Sequence, residues 1–63
     1  MKKTHELGFY ESYLKTQFSV EEFKAFENFM RGQTAGLIDG EVVYYFIDVQ
    51  NFCLCYDIKF PSF

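Results

Sequence analysis

Nine phenylalanines and five tyrosines stand among 63 residues, with no tryptophan. Each such ring removes ~150–250 Å² from water when it is buried. A chain of this length hides only about 60% of the surface its unfolded state exposes, and its core rarely yields more than ~3–5 kcal/mol. The rings are therefore the chief source of stability. They are also more than two or three short elements are expected to hide, so the surplus predicts self-association or a partner.

The rest of the composition narrows the class. Hydrophobic residues make up 49% of the chain and proline occupies one position, which is not the composition of disorder. The length predicts one small domain over 1–63. Nine acidic against six basic residues give a net charge of −3, the wrong sign for a phosphate-binding surface, so no direct nucleic-acid partner is expected. There is no run of ~18 apolar residues, and Met1-Lys2-Lys3 leads into the polar Thr4-His5-Glu6. The expectation is a cytoplasmic protein with no membrane partner.

The strongest local signal is Phe18-Ser19-Val20-Glu21-Glu22-Phe23. Ser19 at the N-cap with Glu22 three residues on spells a capping box, and Phe18 and Phe23 are spaced for a hydrophobic staple. Val20, Phe23, Phe26 and Met30 continue one stripe, and Gly32 can end the element. The spacing predicts a helix over about 19–31. Upstream, Leu7, Tyr10, Leu14 and Phe18 recur at three- or four-residue intervals and predict a helix over about 5–16. Asp39-Gly40 between apolar stretches suits a type I′ turn and predicts a hairpin over about 35–48.

The last segment supports two periods. As a strand over about 52–59, Phe52, Leu54, Tyr56, Ile58 and Phe60 alternate with Cys53, Cys55, Asp57 and Lys59. As a helix, Asp48 would cap it, with Val49, Phe52, Cys53 and Tyr56 on one stripe. Its residues are mediocre helix formers, which favours the strand. The predicted fold is α+β, with two N-terminal helices packed on a small antiparallel sheet made of the hairpin and a C-terminal strand.

Catalytic chemistry is hard to find. There is no glycine-rich phosphate loop, and His5 reads as a solvated side chain near the start of the chain. Glu21 and Glu22 read as a helix start, where the helix dipole favours negative charge. Cys53 and Cys55 at i and i+2 are poorly placed for a disulfide. A closed zinc site needs about four ligands, and the only histidine is His5. Neither a catalytic residue, a metal site nor a cofactor is expected.

Binding remains. The predicted second strand is apolar on both faces, and helices can cover only one, so Val42, Tyr44 and Phe46 are the expected partner surface, with Phe9 and Tyr13 as a second patch. The same aromatic patches are expected to make the chain a homodimer, and serving that homodimer alone is the structural alternative. A second class of function is an acidic decoy that mimics nucleic acid, using Glu21, Glu22, Glu27 and Glu41, although a net charge of −3 is modest for that task.

Phe29-Met30-Arg31-Gly32-Gln33-Thr34, followed by Val43-Tyr44-Tyr45 and Asp48-Val49-Gln50-Asn51-Phe52, resembles a pattern in small uncharacterised proteins of bacteriophages and related mobile elements, over residues 19–54. Such relatives stop soon after the Asp-Val-x-x-Phe segment, so Cys53 to Phe63 is a departure that keeps the helical alternative open. The resemblance implies a context: small phage proteins commonly bind one host protein in the host cytoplasm and block it, including nucleases of restriction and CRISPR immunity. It carries over no site.

Overall fold

A computed structural model describes residues 3–62; Met1, Lys2 and Phe63 lie outside the described residues. The elements, in order, are β1 (Thr4–His5), β2 (Gly8–Tyr10), α1 (Glu11–Gln17), α2 (Val20–Phe29), β3 (Gly36–Ile38), β4 (Glu41–Tyr45) and α3 (Phe46–Tyr56). The four strands form one antiparallel sheet in the order β1-β2-β4-β3.

The capping box at Ser19 forms as its sequence requires. The Glu22 N–H donates to Ser19 Oγ at 3.1 Å, and the Ser19 N–H donates to Glu22 Oε1 at 2.9 Å. That cap fixes the rotation of α2, so Phe23 and Phe26 face inward with Met30 just past the last turn. The Asp39-Gly40 turn also forms, with φ of 52° and 79° at the two central residues, and it pairs Ile38 with Glu41.

Two expectations are corrected. Residues 5–10 are not helical, because they build β1, a turn and β2, and only Glu11–Gln17 of the expected first helix is a helix. The reason is the close approach of two backbones. Gly8 lies opposite Tyr45 in the β2–β4 ladder, and a Cβ on it would collide with the Tyr44 carbonyl. The three-residue spacing of Leu7 and Tyr10 is incidental: Leu7 is exposed in the turn and Tyr10 is buried in the sheet.

Of the expected strand over 52–59, residues 52–56 are instead the last turns of α3, and residues 46–48 leave the hairpin to begin that helix. Packing overrides propensity here. Val49, Phe52 and Cys53 share one stripe and are buried, an arrangement that alternation would have split between two faces. Asp48 falls in the first turn rather than at the cap, still where negative charge suits the helix dipole. Asp57 ends the helix in the left-handed region at φ 55°, a conformation aspartate tolerates better than most residues.

The core is a continuous aromatic cluster. Phe26 is fully buried and touches the rings of Tyr44 at 4.8 Å and Phe52 at 5.0 Å in edge-to-face geometry, with Phe18 at 5.8 Å and Phe23 at 6.0 Å. Phe9 continues it, meeting Phe46 at 5.0 Å, Phe60 at 5.5 Å and Tyr13 at 6.0 Å. The chain beyond α3 folds back to close this end: Pro61 is buried, and Tyr13 Oη donates to the Ser62 carbonyl at 2.8 Å. No polar or charged residue is buried among those described.

Phe26→Ala is expected to lower the unfolding free energy by about 3–5 kcal/mol, as large as the whole stability typical of this size, leaving the chain largely unfolded. Ser19→Ala should cost only about 1 kcal/mol. Urea titration followed by far-ultraviolet circular dichroism checks both, and equal losses would contradict the placement of Phe26 at the centre.

Candidate partner-binding surface

The residues expected to form a partner surface lie mostly inside. Phe9 and Tyr44 form a cross-strand pair on one face of the sheet, and that face meets the helices. Phe9, Tyr13 and Tyr44 are buried core residues, and Val42 and Phe46 are half-buried against the same cluster. The face set aside for a partner is thus the one that the helices cover. On the opposite face Tyr10 pairs with Val43, and both are buried outside the main cluster. The His5 ring stands edge-on to Tyr10 at 6.4 Å, and Tyr45 reaches across toward Gly36. That face is shielded by its own large side chains.

Among the described residues, Tyr44 carries the one strongly perturbed hydroxyl. Its Oη donates to Glu11 Oε2 at 2.9 Å, and Glu11 Oε1 pairs with Lys15 Nζ at 3.4 Å. Burial, followed by the hydrogen bond to the Glu11 carboxylate, pushes the phenol well above its ordinary range. Cys53 is also pushed up, first by burial and then by the nearby Glu22 charge, so it is a poor nucleophile. Cys55 is exposed. His5 uses Nδ1 to accept the Leu7 N–H at 3.2 Å. Among the described residues, no group of three or more His, Cys, Asp or Glu could hold a metal ion.

The acidic residues are not gathered into one free face. Glu22 is held by the Ser19 cap, and Glu41 Oε1 accepts from Ser12 Oγ at 2.5 Å. Glu21 and Glu27 are exposed on α2, but Lys24 stands between them at helical spacing. Lys24 and Lys15 also border an open hollow of about 410 Å³ floored by Phe18 and Phe23.

What the sequence reading missed is the outer side of α3. Ile47 is 59% exposed and Leu54 is 75% exposed. They stand seven residues apart, with Asn51 between them at i+4, on the side opposite Val49, Phe52 and Cys53. Asp48 is the only charged residue in the helix. The signal was present in the helical alternative for this segment, which places Ile47 and Leu54 together once Val49, Phe52 and Cys53 turn inward. Further exposed aliphatic residues are Leu7, Val20 and Leu37. Among the described residues, no helix is long and apolar enough to cross a membrane.

Tyr44→Phe is expected to lower stability by about 1 kcal/mol at neutral pH, because a part-buried hydrogen bond is lost. The sign of its pH dependence follows from the raised pKa: the contribution is complete below the ordinary tyrosine value of ~10 and is lost as pH rises through the folded-state value. Thermal melts at neutral and alkaline pH, with tyrosinate absorbance, should show the wild type losing more stability on alkalinisation than the variant. A variant with an unchanged alkaline slope would remove Tyr44 from that role. Comparison of the chain with family models, curated proteins and solved structures finds no match.

Proposed function

We propose that this protein is a non-catalytic, protein-binding modulator that occupies and inhibits a host protein, in the form of a phage-encoded inhibitor of a restriction or CRISPR nuclease. The observation that carries this reading is α3, a helix with apolar side chains on both sides and one charge. A surface helix ordinarily turns polar residues outward, and exposed aliphatic residues in register along one ridge mark a place where another protein sits. Ile47 and Leu54 are the anchors, with Gln50, Asn51 and Cys55 around them. The likeness of residues 19–54 to small phage proteins supplies the host context. The acidic-decoy alternative draws less support, since Lys24 interrupts the carboxylates of α2.

The test is expression of the chain in a bacterium with an active restriction or CRISPR nuclease, scored as plating efficiency of a sensitive phage. The wild type is expected to restore plating. The double variant Ile47→Glu with Leu54→Glu should lose the effect while keeping its helical circular dichroism. No restoration by the wild type across such hosts would overturn the nuclease form of the proposal. Restoration that survives the double variant but fails after Glu21→Gln with Glu27→Gln would favour the decoy.

A further inference from the structure

We infer that the aromatic wall made by Phe9 and Tyr13 is a binding site for an extended peptide carrying an aromatic residue followed by proline, and that the chain's own residues 58–62 occupy it in cis. This surface is separate from the outer ridge of α3 and does not rest on the function proposed for that ridge. The occupied site is visible in its contacts. The Phe60 ring stands edge-on to Phe9 at 5.5 Å with an interplanar angle of 67°. Pro61, the one proline of the chain, is buried, and the next carbonyl, that of Ser62, accepts the Tyr13 hydroxyl at 2.8 Å.

The wall and its occupant are held in different ways. Phe9 is placed by the β2–β4 ladder opposite Tyr44, Tyr13 stacks on it from α1 at 6.0 Å, and Phe46 at the start of α3 braces it edge-on at 5.0 Å. None of these contacts uses residues 58–62, so the wall is built by three regular elements before its occupant arrives. The occupant contains no helix or strand. It leaves α3 at Asp57, whose φ of 55° turns the chain back, and the Ile58 N–H closes the helix end on the Cys53 carbonyl at 2.9 Å. Beyond that point Lys59, Phe60 and Ser62 are exposed. A segment of this kind opens locally without breaking any ladder or helical turn.

The occupant also defines the ligand. Proline fixes its own φ near −65° and pushes the residue before it into extended backbone, so Phe60-Pro61 holds its shape before it docks. Such a segment makes no internal hydrogen bonds and presents its carbonyls outward. Aromatic walls with a polar donor at one end recognise backbones of this form, and Tyr13 supplies that donor here. Tethered beside the wall, residues 58–62 are present at an effective concentration on the order of millimolar. A partner therefore gains the site only by displacing them with a segment of the same chemistry.

The test has two parts, both on the full-length chain. A protease that cuts only after lysine meets Lys59 in the segment and Lys24 inside α2. Cutting after Lys59 is expected to be at least about tenfold faster than after Lys24 and indifferent to low urea, with helical circular dichroism kept by the product. The second part titrates the variant Phe60→Ala with Pro61→Gly with a synthetic, amidated peptide of the sequence of residues 58–62, followed by nuclear magnetic resonance. The peptide should shift the Phe9 and Tyr13 signals and bind the wild type at least about tenfold more weakly, because the wild-type segment competes. Adding Tyr13→Phe should weaken binding to the variant about three- to tenfold. Parallel cutting at Lys59 and Lys24 overturns the inference, since the segment is then ordinary core, and it decides the matter even if the double variant does not fold. A folded variant that ignores the peptide overturns it too, as does equal binding of a peptide with alanine and glycine in place of Phe60 and Pro61. Cutting after Lys59 that slows as chain concentration rises would assign the segment to a second copy and overturn occupancy in cis.

Discussion

The edge-to-face contacts of Phe26 with Tyr44 and Phe52 hold the structure together. They join α2, β4 and α3 at one point, so each of these elements is placed by the same ring. Aromatic pairs in this geometry contribute ~0.5–1.5 kcal/mol beyond their buried area. For a chain whose whole core yields a few kcal/mol, that increment decides whether the domain folds. The capping box at Ser19 matters chiefly because it fixes the rotation that points Phe26 inward. The Tyr44 hydroxyl then finds Glu11, so the one polar tip near the centre is satisfied without burying a charge.

This economy changes what the surface is made of. The ring surplus that the composition suggested would spill outward is absorbed within the single chain, by helices on one side of the sheet and by tyrosines on the other. What remains outside is mainly aliphatic: Leu7, Val20, Leu37, Ile47 and Leu54, with Tyr56 and Phe60 partly exposed. These residues lie on an edge, a turn and the backs of helices rather than on a sheet face. The exposed apolar positions therefore follow from where short elements run out of neighbours.

Elements with local chemical signatures were legible in the sequence. Ser19 with Glu22 and Asp39 with Gly40 act through bonds and dihedral preferences confined to four or five residues, and both formed where the spacing placed them. Elements decided by distant neighbours were not legible. Whether residues 5–10 coil or extend depends on Gly8 meeting a carbonyl from β4, some thirty-six positions away. The period of residues 46–56 depends on which face Phe26 offers, which alternation in the local sequence does not encode. The misplacement of Val42, Tyr44 and Phe46 has the same origin, since choosing the inner face of β4 requires knowing where the helices lie.

The two strand-to-helix junctions have a mechanical consequence. Tyr10 ends β2 and is the N-cap of α1; Tyr45 ends β4 and is the N-cap of α3, and neither helix is reached through a linker. Each helix is thus cantilevered from an inner strand of the sheet. A force applied to the back of α3 has no swivel in which to dissipate, and it is delivered to the β4 ladder and, through that ladder, to the open edge. Whatever grips this helix takes hold of the sheet as well, so the molecule responds to a load by stiffening or by unzipping, with no intermediate swing of one part against another.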